Sequence, residues 1–123
     1  NITLFNESIV DNDKLNEAIA ISELTELIKD LPEGLNTKLG ELGNRFSGGQ
    51  KQRLGIARTI YKDKSLMLFD EATNALDKKT NLRIIKNLHD YCKQKNKTII
   101  FITHNQEVEK FGDKVINLNS IDN

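Results

Sequence analysis

Two short apolar runs, each followed within two residues by an ionisable side chain, most constrain what this chain can fold into. The run at 66–69 leads directly into Asp70 and Glu71, and the run at 98–102 leads within two residues to His104. Continuous apolar runs of this length predict strands that are buried on both faces of a parallel sheet. The polar residues that follow them are therefore expected at the carboxyl ends of these strands.

Three other segments show the apolar spacing of helices. One spans about 13–30 and is predicted to divide at Ser22, a second follows Ser47 and ends near Lys62, and a third follows Asp77. Strands that alternate with helices predict a parallel sheet with right-handed crossovers. Asn12 or Asp13 is expected to cap the first helix, and a weaker third strand is expected at 114–118. The apolar face of the second helix would consist of Leu54, Ala57, Ile60 and Tyr61, and that of the third helix of Leu82, Ile85, Leu88 and Cys92.

The composition excludes several classes of protein. Eighteen basic and eighteen acidic residues give a formal net charge of zero, which argues against a dedicated nucleic-acid-binding protein. The mean hydropathy is −0.50, and no run approaches the ~18 apolar residues that a membrane-spanning helix needs. Cys92 is the only cysteine, so an internal disulfide is impossible and a reducing compartment is predicted.

The glycine pair after Ser47 is a candidate anion site. Gly48 and Gly49 open a predicted helix, and the start of a helix presents unpaired N–H groups and a positive dipole end. Glycine carries no side chain that would keep an anion away from these groups. An ordinary capped helix with a glycine turn is the alternative interpretation.

The strand ends are a second candidate site, because ligands of open parallel α/β sheets bind at the carboxyl ends of the strands. Asp70 and Glu71 suit a metal–nucleotide site in which one carboxylate serves Mg²⁺ and the other polarises a water. A solvated strand end is the alternative for this pair, and a structural role is the alternative for His104.

The order and spacing of these motifs resemble the nucleotide-binding domain of ABC transporters. Residues 46–50, Phe-Ser-Gly-Gly-Gln, match the family's LSGGQ signature with Phe for the usual Leu. Residues 66–71 look like the Walker B strand with its catalytic glutamate. Residues 72–77 resemble the D-loop, with Asn74 where Ser is commoner, and 103–104 are similar to the switch-histidine motif.

The resemblance also implies a subclass and a fold. Residues 31–34 and 37–43 are similar to the LPxG and TxxGExG runs of exporter-type domains, and 4–9 resembles the segment after the Q-loop. The sequence contains no GxxxxGK[ST] P-loop, which the family carries upstream of the Q-loop. The implied fold is α/β, a partial P-loop NTPase (ABC ATPase) domain with a parallel sheet and an α-helical subdomain. Residues 1–64 would form the end of the Q-loop region and the helical signature subdomain, and 65–123 the C-terminal part of the RecA-like core.

The function implied for the whole protein is to bind and hydrolyse ATP and so drive export of a substrate across a membrane. The implied cofactors are ATP and Mg²⁺. The implied partners are a second nucleotide-binding domain, in a homodimer or heterodimer, and the transmembrane domain of the same transporter, with no nucleic acid. The domain would lie at the cytoplasmic face of the membrane. The segment itself is expected to be soluble, inactive alone, and either marginally folded or self-associating.

The resemblance assigns a role to each motif residue. Asp70 would hold Mg²⁺, Glu71 would act as the general base, and His104 would contact the γ-phosphate. The residues that would bind the nucleotide held by the other subunit, or shape the interface beside it, are Ser47, Gly48, Gly49, Gln50 and Asp77.

Two alternatives stay open. One is a soluble ABC ATPase acting on ribosomes or chromosomes, although translation-factor relatives typically carry EPTNHLD where residues 71–77 read Glu-Ala-Thr-Asn-Ala-Leu-Asp. The other is a non-catalytic binding module in which the motif residues serve only an interface. Measuring Mg²⁺-dependent ATP hydrolysis by a protein that contains the upstream P-loop would distinguish them.

Overall fold

A computed structural model describes residues 2, 10–37 and 46–118 of the chain, so the motif segment at 4–9 and most of that at 37–43 lie outside the described residues. Within the described part, no helix is long and apolar enough to cross a membrane. In chain order the elements are α1 (Asn12–Ile21), α2 (Thr25–Lys29), a 3₁₀ turn (Gly34–Asn36), α3 (Gly48–Tyr61), β1 (Leu66–Asp70), α4 (Lys78–Lys95), β2 (Thr98–Ile102) and α5 (Gln106–Glu109).

The break between α1 and α2 falls at Ser22, as predicted. Ser22 Oγ donates to the carbonyl of Ala18, 2.6 Å away, and thereby satisfies a carbonyl in the last turns of α1. Glu23 then adopts a left-handed conformation with φ 57°. The N–H of Leu24 donates to the carbonyl of Ile19 at 3.0 Å, which is the hydrogen bond of a Schellman helix end.

Side chains cap the three helix starts on which the sequence was informative. Ser47 caps α3 and Asp77 caps α4, both as predicted. The cap of α1 is Asp11, so the assignment to Asn12 or Asp13 was wrong by one or two positions. Asp11 fits because its carboxylate accepts hydrogen bonds from two backbone N–H groups of the first turn, each 3.1 Å away.

One apolar core joins the helices to one face of the sheet. Ile56 and Ile84 are fully buried in it, although the sequence analysis had placed neither on a helix face. Leu54 and Cys92, which it had placed there, are only partly buried at the rim. The buried members of the core that come from the helices and from β1 are Leu15, Ala18, Ile19, Ile21, Leu24, Ile56, Ala57, Ile60, Tyr61, Met67, Phe69, Ile84, Leu88 and Tyr91.

The two strands pair in parallel, as predicted, with Phe69 opposite Phe101 and their rings stacked 5.3 Å apart. The prediction that they are buried on both faces is wrong for the described residues. Met67 and Phe69 point into the core, whereas Leu66 is 56% and Leu68 59% exposed. The side chains of a strand alternate between faces, and the helical core covers only one of them.

The third strand is also absent from the described part of the chain. Residues 114–118 contain no β-strand, and their apolar side chains Val115, Ile116 and Leu118 are exposed. A strand forms only where a neighbour accepts and donates its backbone hydrogen bonds. This segment lines one depression together with Ile99 and Phe101 of β2 but forms no backbone ladder with that strand. The apolar pattern alone therefore does not make it a strand.

Candidate functional site

The start of α3 is held by a reciprocal pair of hydrogen bonds. Ser47 Oγ accepts from the N–H of Gln50 at 3.1 Å, and Gln50 Oε1 accepts from the N–H of Ser47 at 2.9 Å. This capping box satisfies two of the N–H groups at the helix start. The N–H groups of Gly48 and Gly49 have no partner within the helix and lie at its positive end, so an anion can reach them.

Gly49 is also needed for packing. A Cβ atom there would lie 2.9 Å from the carbonyl oxygen of Ala75 and 3.1 Å from Cδ2 of Leu76. At Gly48 the nearest atom to such a Cβ would be the Cβ of Ala75, 3.4 Å away. The start of α3 therefore packs against the loop at 72–77, and these two segments lie side by side.

Gln52 links these segments, and the sequence analysis missed it. Its Oε1 accepts from the N–H of Ala75 at 2.8 Å, and its Nε2 donates to the carbonyl of Glu71 at 3.3 Å. A signal was present, because Gln52 continues the helical spacing of the buried Ile56 and Ile60. A polar residue in line with an apolar stripe needs a partner when it is covered.

Glu71 leaves β1 through a left-handed turn with φ 47°, which is uncommon for a residue with a side chain. Its N–H donates to the carbonyl of Ile102 at 2.9 Å and so ties the turn to the end of β2. Asp70, the last residue of β1, stays exposed at the same edge. The sheet therefore presents both carboxylates at its carboxyl end, as the sequence analysis predicted.

His104 meets Glu71 at this edge. His104 Nε2 lies 3.2 Å from Glu71 Oε1, although the two residues come from the ends of different strands. The His104 side chain is 92% exposed, so this contact faces open solvent. The strand-end argument thus brings together the two residues assigned to proton transfer and phosphate contact.

The carboxylates suit Mg²⁺ by the chemistry of their oxygens. No cluster of three or more His, Cys, Asp or Glu side chains able to hold a metal occurs in the described ranges. Mg²⁺ in nucleotide sites commonly takes one or two protein carboxylates and fills its other positions with phosphate oxygens and water. Asp70, alone and exposed beside Glu71, fits an ion that is bound mainly by a nucleotide.

Asp77 lies at the junction of the loop and α4. Its carboxylate accepts from the N–H of Thr80 at 3.0 Å, and hydrogen bonding to Thr80 lowers the pKa of Asp77, so the group stays ionised. Beside it, an open depression runs between the start of α4 and the His104 loop. Lys78 closes one side of this depression through an ion pair with Glu107 at 2.8 Å. Asp77 is therefore an anion whose position at the start of α4 is fixed by its hydrogen bond to Thr80.

The geometry agrees with comparisons to known proteins. The family model described as ABC transporter matches residues 1–74. The mitochondrial iron-sulfur clusters transporter atm1 of Aspergillus fumigatus is 37% identical over 123 residues, which cover 92% of this chain and 17% of that protein. A bacterial Atm1-family ABC exporter with ATP bound superposes with a TM-score of 0.71 at 35% identity, covering 82% of this chain and 17% of the exporter.

A second solved structure, the dimeric structure of a bacterial ABC transporter cassette, gives a TM-score of 0.64 at 30% identity over 88% of this chain and 44% of the cassette. The chain spans less than a fifth of the length of the Aspergillus fumigatus transporter and of the Atm1-family exporter. The predicted fold class, part of an ABC ATPase domain with helices and a parallel sheet, is confirmed. Because the family model covers 74 of the 123 residues, the chain belongs to the ABC transporter family.

Proposed function

We propose that this chain is part of the ATP-binding and ATP-hydrolysing domain of an ABC exporter. The single observation that carries the proposal is the 3.2 Å contact between Glu71 and His104 at the carboxyl end of two parallel strands. A carboxylate and an imidazole in contact at a sheet edge can move a proton and hold a phosphate. In this arrangement residues 1–64 form the helical signature subdomain with the end of the Q-loop region, and 65–123 the later part of the core.

Each residue at the edge has a role that its position supports. Bound Mg²⁺ and ATP supply the reacting phosphoryl group and neutralise its charge. Asp70 holds the ion, because its carboxylate ends β1 in the open. Glu71 accepts the proton of the attacking water, and His104 donates a hydrogen bond to the terminal phosphate. Positioning and electrostatic stabilisation are the main contributions that a protein makes to phosphoryl transfer.

The start of α3 acts on a second nucleotide. Its N–H groups at Gly48 and Gly49, which have no partner within the helix, suit a phosphate that a partner domain holds, with Ser47 and Gln50 fixing the turn. Asp77 would lie at the interface with that partner. The similarity to a dimeric cassette supports a second nucleotide-binding domain, in a homodimer or heterodimer, as this partner.

The cellular setting follows from the same family. The other proposed partner is the transmembrane domain of the transporter, and the ATPase domain would lie at the cytoplasmic face of the membrane. No nucleic acid is involved. The 123-residue chain alone would be inactive, since the P-loop that holds ATP is not in its sequence.

The test is ATP turnover by the whole protein that contains this chain. Glu71→Gln removes a general base, so we expect turnover to fall by about 10²–10⁴-fold while ATP binding stays intact. His104→Ala should also lower turnover. Glu109→Gln is the control, because Glu109 is exposed on α5 and outside the proposed site.

The outcome distinguishes a catalytic domain from a non-catalytic binding module. Turnover of Glu71→Gln within about tenfold of the unmodified protein would remove Glu71 from the base role. Absence of any Mg²⁺-dependent hydrolysis in the unmodified protein would instead favour a non-catalytic binding module.

A further inference from the structure

The turn after α1 contains a residue in an unfavourable conformation. Glu23 has φ 57° at the position of a Schellman helix end that glycine usually occupies. A left-handed conformation is strained for a residue with a side chain, because the Cβ atom crowds the backbone. Glycine would form this turn without that strain, so the glutamate is expected to do something that glycine cannot.

The backbone of Glu23 is attached to α3. Its carbonyl oxygen accepts a hydrogen bond from Arg53 Nη1 at 2.7 Å, across thirty residues of sequence. Arg53 Nε is buried and has no hydrogen-bond partner among the described residues. Arg53 therefore bears a desolvation cost in this position, and the bond to Glu23 is a strong, charge-assisted one.

The side chain of Glu23 is attached to α4. Its Oε1 accepts from Asn87 Nδ2 at 3.3 Å, and its Oε2 pairs with Arg83 Nη2 at 3.3 Å. Asn87 Nδ2 also donates to the carbonyl of Ile21, the last residue of α1. Arg83 and Asn87 lie four residues apart and so share one face of α4, and this face contacts the end of α1.

One residue thus joins three helices. α3 begins at the Gly48–Gly49 pair, α4 begins directly after Asp77, and Glu23 bonds to both helices from the end of α1. The carboxylate is 27% exposed, so its pairing is less screened by water than a fully exposed surface ion pair. The orientation of the glycine-pair helix relative to the Asp77 helix is consequently fixed through Glu23, which lies on neither helix.

We infer that Glu23 is a positioning residue, which sets the angle at which the start of α3 is presented to the nucleotide held by the partner domain. This inference rests on the proposed function. A loosened angle lowers the fraction of molecules competent to close on ATP, and the apparent affinity falls by the same fraction. Once the domains have closed, the chemistry at Glu71 and His104 is unchanged.

The first experiment uses Glu23→Gly in the whole transporter. Glycine removes both the carboxylate and the left-handed strain, so the domain should melt at no lower a temperature than the unmodified protein. We expect KM for ATP to rise by about three- to tenfold, with kcat within about twofold. The matched control is Glu26→Gln, because Glu26 forms a local ion pair with Lys29 at 2.8 Å on the exposed side of α2.

The second experiment tests whether the contact with α4 is responsible. Arg83→Gln should also raise KM for ATP. The double variant Glu23→Gly with Arg83→Gln should have a KM no higher than that of Glu23→Gly alone. Non-additivity of this kind identifies two residues that act through one interaction. Simple addition of the two effects would show independent roles and overturn the inference.

Other outcomes are equally decisive. A lower melting temperature and a lower kcat with unchanged KM would make Glu23 a structural residue only. An equal rise in KM for Glu26→Gln would show that the loss of any negative charge in this region raises KM, and would overturn the inference. Absence of ATP turnover in the unmodified protein would overturn the proposed function and this inference together, whereas normal turnover with unchanged KM in Glu23→Gly overturns only the inference.

Discussion

The helical part of the chain and its two-stranded sheet differ in how completely they are covered. Ala18, Ala57 and Leu88, from three different helices, are wholly buried against one another or against the sheet. Leu66 and Leu68 of β1 are more than half exposed, and Ile100 and Ile102 of β2 nearly half. The apolar residues of the helices find their partners within the described residues, whereas every second residue of the strands does not.

The same difference separates the two parts of the candidate site. The start of α3 is fixed by its own capping box and by contacts with the 72–77 loop, so its geometry is complete within the chain. Glu71 and His104 lie at the open end of a sheet with one uncovered face. A helix start can be built locally, but a site at a sheet edge depends on whatever covers that sheet.

The largest of the three effects we predict from this contrast concerns two leucines. In the 123-residue chain, Leu88→Ala removes a fully buried side chain and should cost about 2–5 kcal/mol of unfolding free energy. Leu68→Ala, on the uncovered face, should cost less than about 0.5 kcal/mol. Chemical denaturation of the two variants beside the unmodified chain measures both values.

The matched experiment in the whole protein sharpens the comparison. If the rest of the ATPase domain covers the sheet, Leu68→Ala becomes a core truncation there and its cost should approach that of Leu88→Ala. Equal costs for the two variants in the chain alone would show that the exposed face is already covered, for instance by self-association.

Sequence reasoning succeeded where the cause was local or topological. Ser47 and Asp77 were identified as caps because a cap depends on residues within one turn of it. The location of Glu71 and His104 at one end of the sheet followed from the rule that ligands of parallel sheets bind at the carboxyl ends of the strands. Neither prediction needed to know which helix packs on which.

It failed where the answer depended on tertiary neighbours. The apolar run at 66–69 correctly indicates a strand, but its pattern cannot say which face has a partner in this chain. Residues 114–118 have the composition of a strand, yet they form no ladder with β2 in the described part of the chain. Gln52 and Glu23 were missed because their partners lie nineteen or more residues away in sequence.

A smaller effect is predicted for the two glycines of the signature. Gly49→Ala would place a Cβ 2.9 Å from the carbonyl oxygen of Ala75, so the helix start and the loop must separate. We expect a loss of about 1–3 kcal/mol of unfolding free energy. Gly48→Ala is the matched control, because its nearest contact of 3.4 Å needs only a slight adjustment. Thermal unfolding of both variants tests this, and equal losses would contradict the assigned contact.

The smallest effect concerns Asp63, whose ion pairs connect the helical part of the chain to the two-stranded sheet. Asp63, in the turn between α3 and β1, pairs with Lys97 at 2.7 Å, just before β2, and with Lys14 of α1 at 3.1 Å. The hydrogen bond to Lys97, followed by that to Lys14, lowers the pKa of Asp63 to about 2. Tyr91 of α4 also donates to this carboxylate at 3.2 Å. One anion therefore links both regions.

The sign of the pH dependence follows from that lowered pKa. Since the folded state holds the charged form, the pairing stabilises the chain above the ordinary pKa of 3.8, and this stability is lost as the pH falls towards 2. The Asp63 side chain is 36% exposed, so screening by water limits the contribution to about 1 kcal/mol or less. Asp63→Asn should lower the unfolding free energy by that amount at pH 7.

The decisive measurement is the difference between the two proteins as a function of pH. Asp63→Asn and the unmodified chain should converge in stability as the pH is lowered from 4 towards 2, because both then lack the negative charge. Asp113→Asn, at an exposed position near the C-terminal end of the described residues, is the control and should show no such convergence. A constant difference across this range would mean that Asp63 joins the regions through its shape and neutral hydrogen bonds, and that the ion pairs contribute nothing measurable.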